Sequence, residues 1–463
     1  MTSGTKQRYF EHRVRLSDDP LSVISAITSS GLFDDYVVYE RDDCWSFAGG
    51  VLAEIVLERS GAALHGPAEM FLPWDGSPLR QVRKLLDRVR VDGWRAYGWT
   101  AFELAYAKDG DLSSVDGQRL LHLVVPRTEV RLEDGWAWLR STDTGELAAV
   151  TAVLHSAPDA TPGRPQPVDV RGIGADEYRS AVQSAVDDIH AHRFEKVILS
   201  RTVPLEADID FVGTYVSGRR GNSPARSFLL RLGGVETAGF SPEIVVRVDP
   251  DGRVVSQPLA GTRALTGDTD RDALLRTELL ADPKEVYEHA ISVKIACDDL
   301  SDVCDPGSVN VEEFMAVRER GSVQHLASRV AGRLASDRDL WDAFAAAFPA
   351  VTASGVPKDA AYRGIRAHEA QARGLYSGAV LTVDQNGALD AALVLRAVYR
   401  QNGVTWLQAG AGIVGQSRPG REFEETCEKL DSVARFLVAT NMIHAGTVPA
   451  RPAEAGASST GAA

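Results

Sequence analysis

Lysine is scarce in this chain of 463 residues. It occurs only at Lys6, Lys84, Lys108, Lys196, Lys284, Lys294, Lys358 and Lys429, and arginine supplies the rest of the positive charge. Where solvation would accept either residue the chain uses arginine, so a lysine at an awkward position calls for a reason. Cysteine is scarcer still. Cys44, Cys297, Cys304 and Cys427 are scattered without C-x-x-C spacing, which excludes a disulfide framework and a cysteine zinc site. No apolar run is long enough to span a bilayer. The stretch from Met1 to Leu16 has charges throughout and no apolar core, unlike a signal peptide. The expected compartment is the cytoplasm. Positive charge is in deficit overall, with a formal net charge of -14. Bulk electrostatics of that sign exclude nucleic acid and an anionic membrane as partners. A small anion still fits where local cations or a metal overcome the global field.

What is present is ordinary globular material, 44% hydrophobic and 25% charged, which excludes a disordered chain, a collagen-like fibre and a coiled coil. Hairpins dominate. Asp134-Gly135, Asp249-Pro250-Asp251-Gly252, Asn386-Gly387 and Asn402-Gly403 each separate two alternating apolar runs. Tight hairpins make antiparallel sheet, so an all-parallel architecture is excluded. Apolar spacing of three and four predicts helices after Ser77-Pro78, around Val182 to Ile189, over Lys284 to Cys304 and over Arg421 to Leu437. The expected class is α+β, a large body of layered antiparallel sheets flanked by helices. Its expected division is an N-terminal α+β part over 1–155, a proline-rich linker over 156–170, a catalytic region over 171–445 and a disordered tail over 446–463.

Several residues are candidates for chemistry. Glu285 and Glu288 stand three apart on one predicted helix, and Glu422 and Glu425 on another. Residues at i and i+3 share a helix face. Two such helices meeting would converge four carboxylates, the hard oxygen set that suits Mg²⁺. A solvated acidic face is the commoner meaning of E-x-x-E. Lys196 lies in the strand-like run Glu195-Lys196-Val197-Ile198-Leu199-Ser200-Arg201. Turned into a sheet cavity it would serve as a general base; on an edge strand it would block aggregation. Glu243 follows Phe240-Ser241-Pro242 at a strand mouth and reads as a turn residue or, if burial raises it, as a general acid. Gly410-Ala411-Gly412-Ile413-Val414-Gly415 fits G-x-G-x-x-G, but its helix starts late and no second βαβ unit has room to follow. Its backbone N–H groups, and those of Leu259-Ala260-Gly261-Thr262, are expected to face a small anion instead. Arg396, read as a residue inside the strand Leu393 to Tyr399, needs an anionic partner if it faces the core. His325 reads first as a structural histidine.

The order and wording of these runs resemble the chorismate-utilising enzymes. Glu195 to Arg201, Phe240 to Glu243, Pro258-Leu259-Ala260-Gly261-Thr262-Arg263, Lys284-Glu285-Val286-Tyr287-Glu288-His289, Gly374-Leu375-Tyr376-Ser377-Gly378, Gly410 to Val414 and Glu422 to Lys429 carry the resemblance. Pro224 to Leu230, Arg318 to Leu326 and Phe348 to Gly355 look most like the salicylate synthases of siderophore pathways within that family.

The resemblance implies an enzyme that turns chorismate into isochorismate and then into salicylate and pyruvate. It implies Lys196 as base for a water attacking C2, Glu243 as acid for the departing C4 hydroxyl, and His325 as a third catalytic residue. It implies Mg²⁺ on Glu285, Glu288, Glu422 and Glu425. Arg396 and Tyr376 would hold the enolpyruvyl carboxylate. Gly261, Thr262, Gly410 and Lys429 would hold the ring carboxylate, with Thr352, Ala411 and Gly412 beside them. Anthranilate synthases carry an amide at the position of Lys196, so the lysine implies water as nucleophile, with no amidotransferase subunit and a monomer expected. Alternatives are an isochorismate synthase, an anthranilate-synthase-like enzyme and a non-catalytic chorismate binder.

Overall fold

Each of the four expected turns closes an antiparallel hairpin. Asp134-Gly135 and Asn402-Gly403 have positive φ at both positions, the pair of left-handed residues that matches the twist of a two-residue hairpin loop. The computed structural model describes residues 7–16, 19–74, 76–156, 163–321, 323–440, 442 and 444–445. The expected tail over 446–463 lies outside the described residues, as do 157–162 of the expected linker. The described end of that linker is pinned by Gln166 N donating to Leu437 O at 2.8 Å.

All named strand pairs are antiparallel, and they form two branches. One starts at the strand Lys196–Glu206 and passes through Val404–Ile413, Ala397–Gln401, Val235–Ser241 and Arg226–Leu232 to Tyr36–Arg41. The other runs from Arg95–Thr100 through Ala379–Asp384, Leu389–Leu393, Ile244–Val248 and Arg253–Ser256 to Val323–Arg333. Val323–Arg333 also pairs with Leu259–Ala264 and Asn310–Arg320. The branches join at two long strands, Cys44–Glu58 and Leu121–Glu133, whose register slips between Val51 and Ala53. A bulge of this kind bends a strand and lets one sheet continue into two layers. Strands from 36–133 pair directly with strands beyond 171, as Arg226 with Arg41 and Ala379 with Thr100 show.

Between the branches lies an aromatic-rich core of Tyr97, Trp99, Phe228, Leu230, Tyr376 and Tyr399. The larger core lies under the helices, where Val182 and Val186 of Ala175–His190 and Phe423, Cys427 and Leu430 of Pro419–Ala434 pack. The helix Pro283–Ser301 departs from its expected apolar stripe. Val293 and Leu300 are buried, but its first half buries Glu285, Glu288, His289 and Ser292 in place of Val286 and Ala290. The polar face of that helix therefore points into the protein. All four cysteines are free thiols. No helix among the described residues is long and apolar enough to cross a membrane.

Candidate active site

The helix Pro283–Ser301 begins with Asp282, whose side chain accepts from Lys284 N at 2.9 Å and Glu285 N at 3.4 Å. This cap fixes the first turn and aims Glu285 and Glu288 inward. The helix Pro419–Ala434 opens on proline and delivers Glu422 and Glu425. All four carboxylates are buried, so the solvated-face reading of the paired glutamates is wrong. Glu285 Oε2 accepts from Thr262 N at 3.2 Å and Oε1 stands 3.3 Å from Arg263 Nη1. Glu425 Oε1 meets Lys429 Nζ at 2.8 Å.

The ammonium of Lys284 sits among them, 3.1 Å from Glu422 Oε1, 3.6 Å from Glu285 Oε1 and 4.0 Å from Glu288 Oε2. Burial, and then Glu425, push Glu422 up to about 7 and also raise Glu285. Burial acts on Glu425 in the same direction, but Lys429 and Lys284 outweigh it and hold that carboxyl down at about 2. Glu422 Oε2 is buried without a hydrogen-bond partner among the described residues.

Lys196 opens its strand and is fully buried. Its strand is no edge, because Val197 pairs with Ile413 on one side and Gly355 on the other. Lys196 Nζ donates to Ser292 Oγ at 3.1 Å and stands 3.0 Å from Glu288 Oε1. Glu243 sits between the strands Val235–Ser241 and Ile244–Val248 and is 2% exposed, which a turn residue would not be. Its Oε2 accepts from Leu259 N at 2.8 Å and its Oε1 from Thr352 Oγ1 at 2.9 Å. Burial nevertheless dominates and pushes it up to about 7, against the opposing pull of those hydrogen bonds and of Lys196 and Lys429.

Arg396 is not inside a strand. The expected run Leu393 to Tyr399 breaks at 394–396, and Arg396 has a φ of 51°. A left-handed non-glycine residue is costly and persists where its surroundings fix it. The break turns the guanidinium inward, where it donates from Nη1 to Arg320 O at 3.0 Å and from Nη2 to His325 Nε2. Burial, and then Arg320, lower it to about 10. Arginine has only donors, so His325 Nε2 accepts and Nδ1 carries the proton toward Gly261 O at 3.2 Å, with Thr262 Oγ1 at 3.1 Å. Burial, and then Arg396 and Lys429, hold His325 well below the usual histidine range. It is a neutral imidazole between the strand Leu259–Ala264 and Arg396.

The glycine run does not form an anion-binding loop. Gly410 to Ile413 are strand residues paired with Ser200 to Val197. A β-carbon at Gly412 would stand 2.1 Å from Glu288 Oε1, and one at Gly410 would stand 2.9 Å from Tyr376 Oη. The glycines clear space for two site residues, and the carbonyl of Gly410 takes Lys429 Nζ at 2.9 Å. Ala411, between them, belongs to the core under the helices.

One cavity joins these groups, with ≈ 690 Å³ of free space including its open mouth. Glu243, Thr262, Glu288, His325, Arg396 and Lys429 line it, with Thr352, Tyr376, Gly261, Gly410, Gly412 and Glu425. Lys196, Glu285 and Glu422 stand behind that lining. Sequence reasoning missed Lys284, Ser292 and Gln408, which also lines the cavity and donates to Ser200 Oγ at 3.0 Å. The scarcity of lysine was the signal that would have found Lys284. Among the described residues no three acidic, histidine or cysteine side chains are close enough to hold a metal ion; the Lys284 ammonium supplies countercharge at that place. The donor set still fits a hard divalent cation: four buried carboxylates, one with a free oxygen.

Known proteins resemble this chain in sequence and in fold. A model described as chorismate binding enzyme matches residues 36–435. A salicylate synthase of Mycolicibacterium paratuberculosis is 42% identical over 91% of this chain and 94% of its own length. The crystal structure of anthranilate synthase component I from Streptococcus pneumoniae superposes with a TM-score of 0.71 at 25% identity, over 86% of this chain and 92% of that one. The menaquinone-specific isochorismate synthase of Escherichia coli has the same fold, with a TM-score of 0.71 at 21% identity over 93% of this chain and 95% of that one.

Proposed function

The chain belongs to the chorismate binding enzymes, and from that premise we propose that it is a salicylate synthase. The observation that carries the reading is a basic and an acidic group built into one site. Lys196 is fully buried behind the cavity wall, and Glu243 lines the cavity with its carboxyl raised to about 7. Lys196 takes a proton from a water, whose oxygen bonds to C2 of the ring. Glu243 gives its proton to the C4 hydroxyl, which leaves as water, and the double bonds shift to give isochorismate. Water in and water out leave the composition unchanged. In the second step a ring hydrogen passes to the methylene carbon of the enolpyruvyl group as the bond between the ring carbon and the ether oxygen breaks; that oxygen becomes the keto oxygen of pyruvate, and the ring becomes salicylate. That step needs orientation more than another acid or base. Arg396, aimed by neutral His325, and Tyr376 hold the enolpyruvyl carboxylate; Lys429 and the backbone at Gly261 hold the ring carboxylate, beside the Thr262 hydroxyl. Glu285, Glu288, Glu422 and Glu425 would hold Mg²⁺, which when bound neutralises the ring carboxylate in an acidic protein. Water as nucleophile requires no amidotransferase subunit.

Incubation with chorismate and Mg²⁺, followed by chromatography, tests this. Salicylate with equimolar pyruvate, lost with EDTA and lost in Lys196→Ala, is expected. Isochorismate accumulating without pyruvate would overturn the second step.

A further inference from the structure

Pro224, Ala225 and Arg226 of one run and Arg318 and Arg320 of another take no part in the chemistry above, yet all line one groove. It holds ≈ 1180 Å³ of free space including its open side. Seven arginines line it against three acids, Glu40, Asp42 and Asp43. Five of the arginines are committed: Arg219 to Glu40, Arg226 to Asp390, Arg247 to Asp249, Arg253 to Glu312 and Arg318 to Glu313. Arg320 is not. Burial lowers it, the neighbouring Arg318 and Arg226 lower it further, and no carboxylate offsets them. Arg329 reaches Glu313 only through its field.

The groove and the cavity are two sides of one short segment. Pro242 lines the cavity and Ile244 lines the groove, with Glu243 between them in sequence. Arg320 ties the two together: its Nε donates to Pro242 O at 3.3 Å, and its own carbonyl accepts from Arg396 at 3.0 Å. We propose that this groove is an outer carboxylate site that captures the dianionic substrate before it passes to Arg396. A chain of net charge -14 repels a dianion at long range. In the groove Arg320 and Arg329 present positive charge that no carboxylate contacts among the described residues, a local attraction for a dianion. The Arg329 guanidinium offers the matching two-pronged contact, and Arg320 adds its Nη2, since its Nε and Nη1 are held by Pro242 O and Glu319 O. The inference rests on chorismate being the substrate.

The test is kcat/KM for chorismate as a function of ionic strength, in wild type, Arg329→Gln, Arg329→Lys and Arg363→Gln. Arg363 lies on the distant helix Lys358–His368 with its side chain 74% exposed, so its variant removes the same net charge elsewhere. Arg329→Gln is expected to lower kcat/KM about tenfold at low salt and to flatten its decline with salt. Arg329→Lys is expected to keep most of both, and Arg363→Gln all of both. Equal behaviour of Arg329→Gln and Arg363→Gln would overturn the groove and leave the reading of the active site standing. Weaker inhibition by salicylate with unchanged kcat/KM would also overturn it, as a route for product departure. A wild type that turns over no chorismate would overturn both readings.

Discussion

Gly412 and Glu288 occupy complementary space: a β-carbon on the glycine would lie 2.1 Å from the carboxylate oxygen of the glutamate. Glu288 Oε1 is also the oxygen that stands 3.0 Å from Lys196 Nζ. One missing methyl group therefore allows a helix carboxylate to approach the strand that carries the proposed base.

Gly412→Ala separates function from stability. The obstructing atom is the end of a flexible side chain, so the carboxylate moves aside for about 1 kcal/mol or a little more. Displacing it disturbs both Lys196 and the carboxylates proposed to hold Mg²⁺. We expect a loss of activity of at least a hundredfold with a melting temperature within a few degrees of wild type, read by thermal unfolding beside product formation. Gly410→Ala is expected to do the reverse in proportion, costing more stability, because its β-carbon would meet the backbone oxygen of Leu199 at 2.6 Å.

Glu243 sets the basic limb of the pH profile. Its carboxyl is raised to about 7 by burial, and a general acid works only while protonated. Isochorismate formation should therefore fall as pH rises through about 7. Glu243→Gln should lower the rate by a factor of about 10² to 10⁴ and abolish that limb. Stability follows the same proton. A folded-state value above the unfolded 4.5 means the contribution is complete below the unfolded value and is lost as pH rises toward 7. Urea unfolding across that range should show a flatter stability curve for Glu243→Gln than for wild type.

On the proposed function, Lys284 and a divalent cation would compete for the same carboxylates. Lys284→Met leaves buried Glu422 without its cation, while Glu285, Glu288 and Glu425 keep Arg263, Lys196 and Lys429; losing one partner of a buried pair costs about 3 kcal/mol in comparable settings. We expect a melting temperature several degrees below wild type in EDTA. A larger upward shift on adding Mg²⁺ than in wild type is expected too, because ligand binding adds stability by mass action. Calorimetric titration should find tighter Mg²⁺ binding in the variant. Equal affinity in the two proteins would show that the ammonium does not occupy the cation's place.

The sequence was most informative where local spacing decides the outcome. Asp-Gly and Asn-Gly turns gave the hairpins, and the spacing of Glu285 with Glu288 and of Glu422 with Glu425 placed each pair on one helix face. It was least informative where two elements must meet. Lys284 joins the carboxylates only because the two helices converge, and its neighbour Glu285 drew attention first. The apolar run around Arg396 hid a left-handed residue, since nothing in Leu395-Arg396-Ala397 signals a break. The glycine run looked like an anion-binding loop because glycine serves both close approach and turns, and only the position of Glu288 tells which.

The contact between His325 and Arg396 gives the last prediction. His325 holds the guanidinium through Nε2 and is itself fixed at Nδ1 by Gly261 O. Because burial holds the imidazole well below the usual histidine range, its charge does not change near neutrality, and no kinetic limb near 6.5 should trace to it. His325→Ala removes the aim of Arg396 and leaves its charge. KM for chorismate should rise about tenfold or more, and Arg396→Ala added to it should cost less than in the wild-type background, since the two residues act on one carboxylate. Full additivity in that double-mutant cycle would mean that His325 acts on the substrate independently of Arg396.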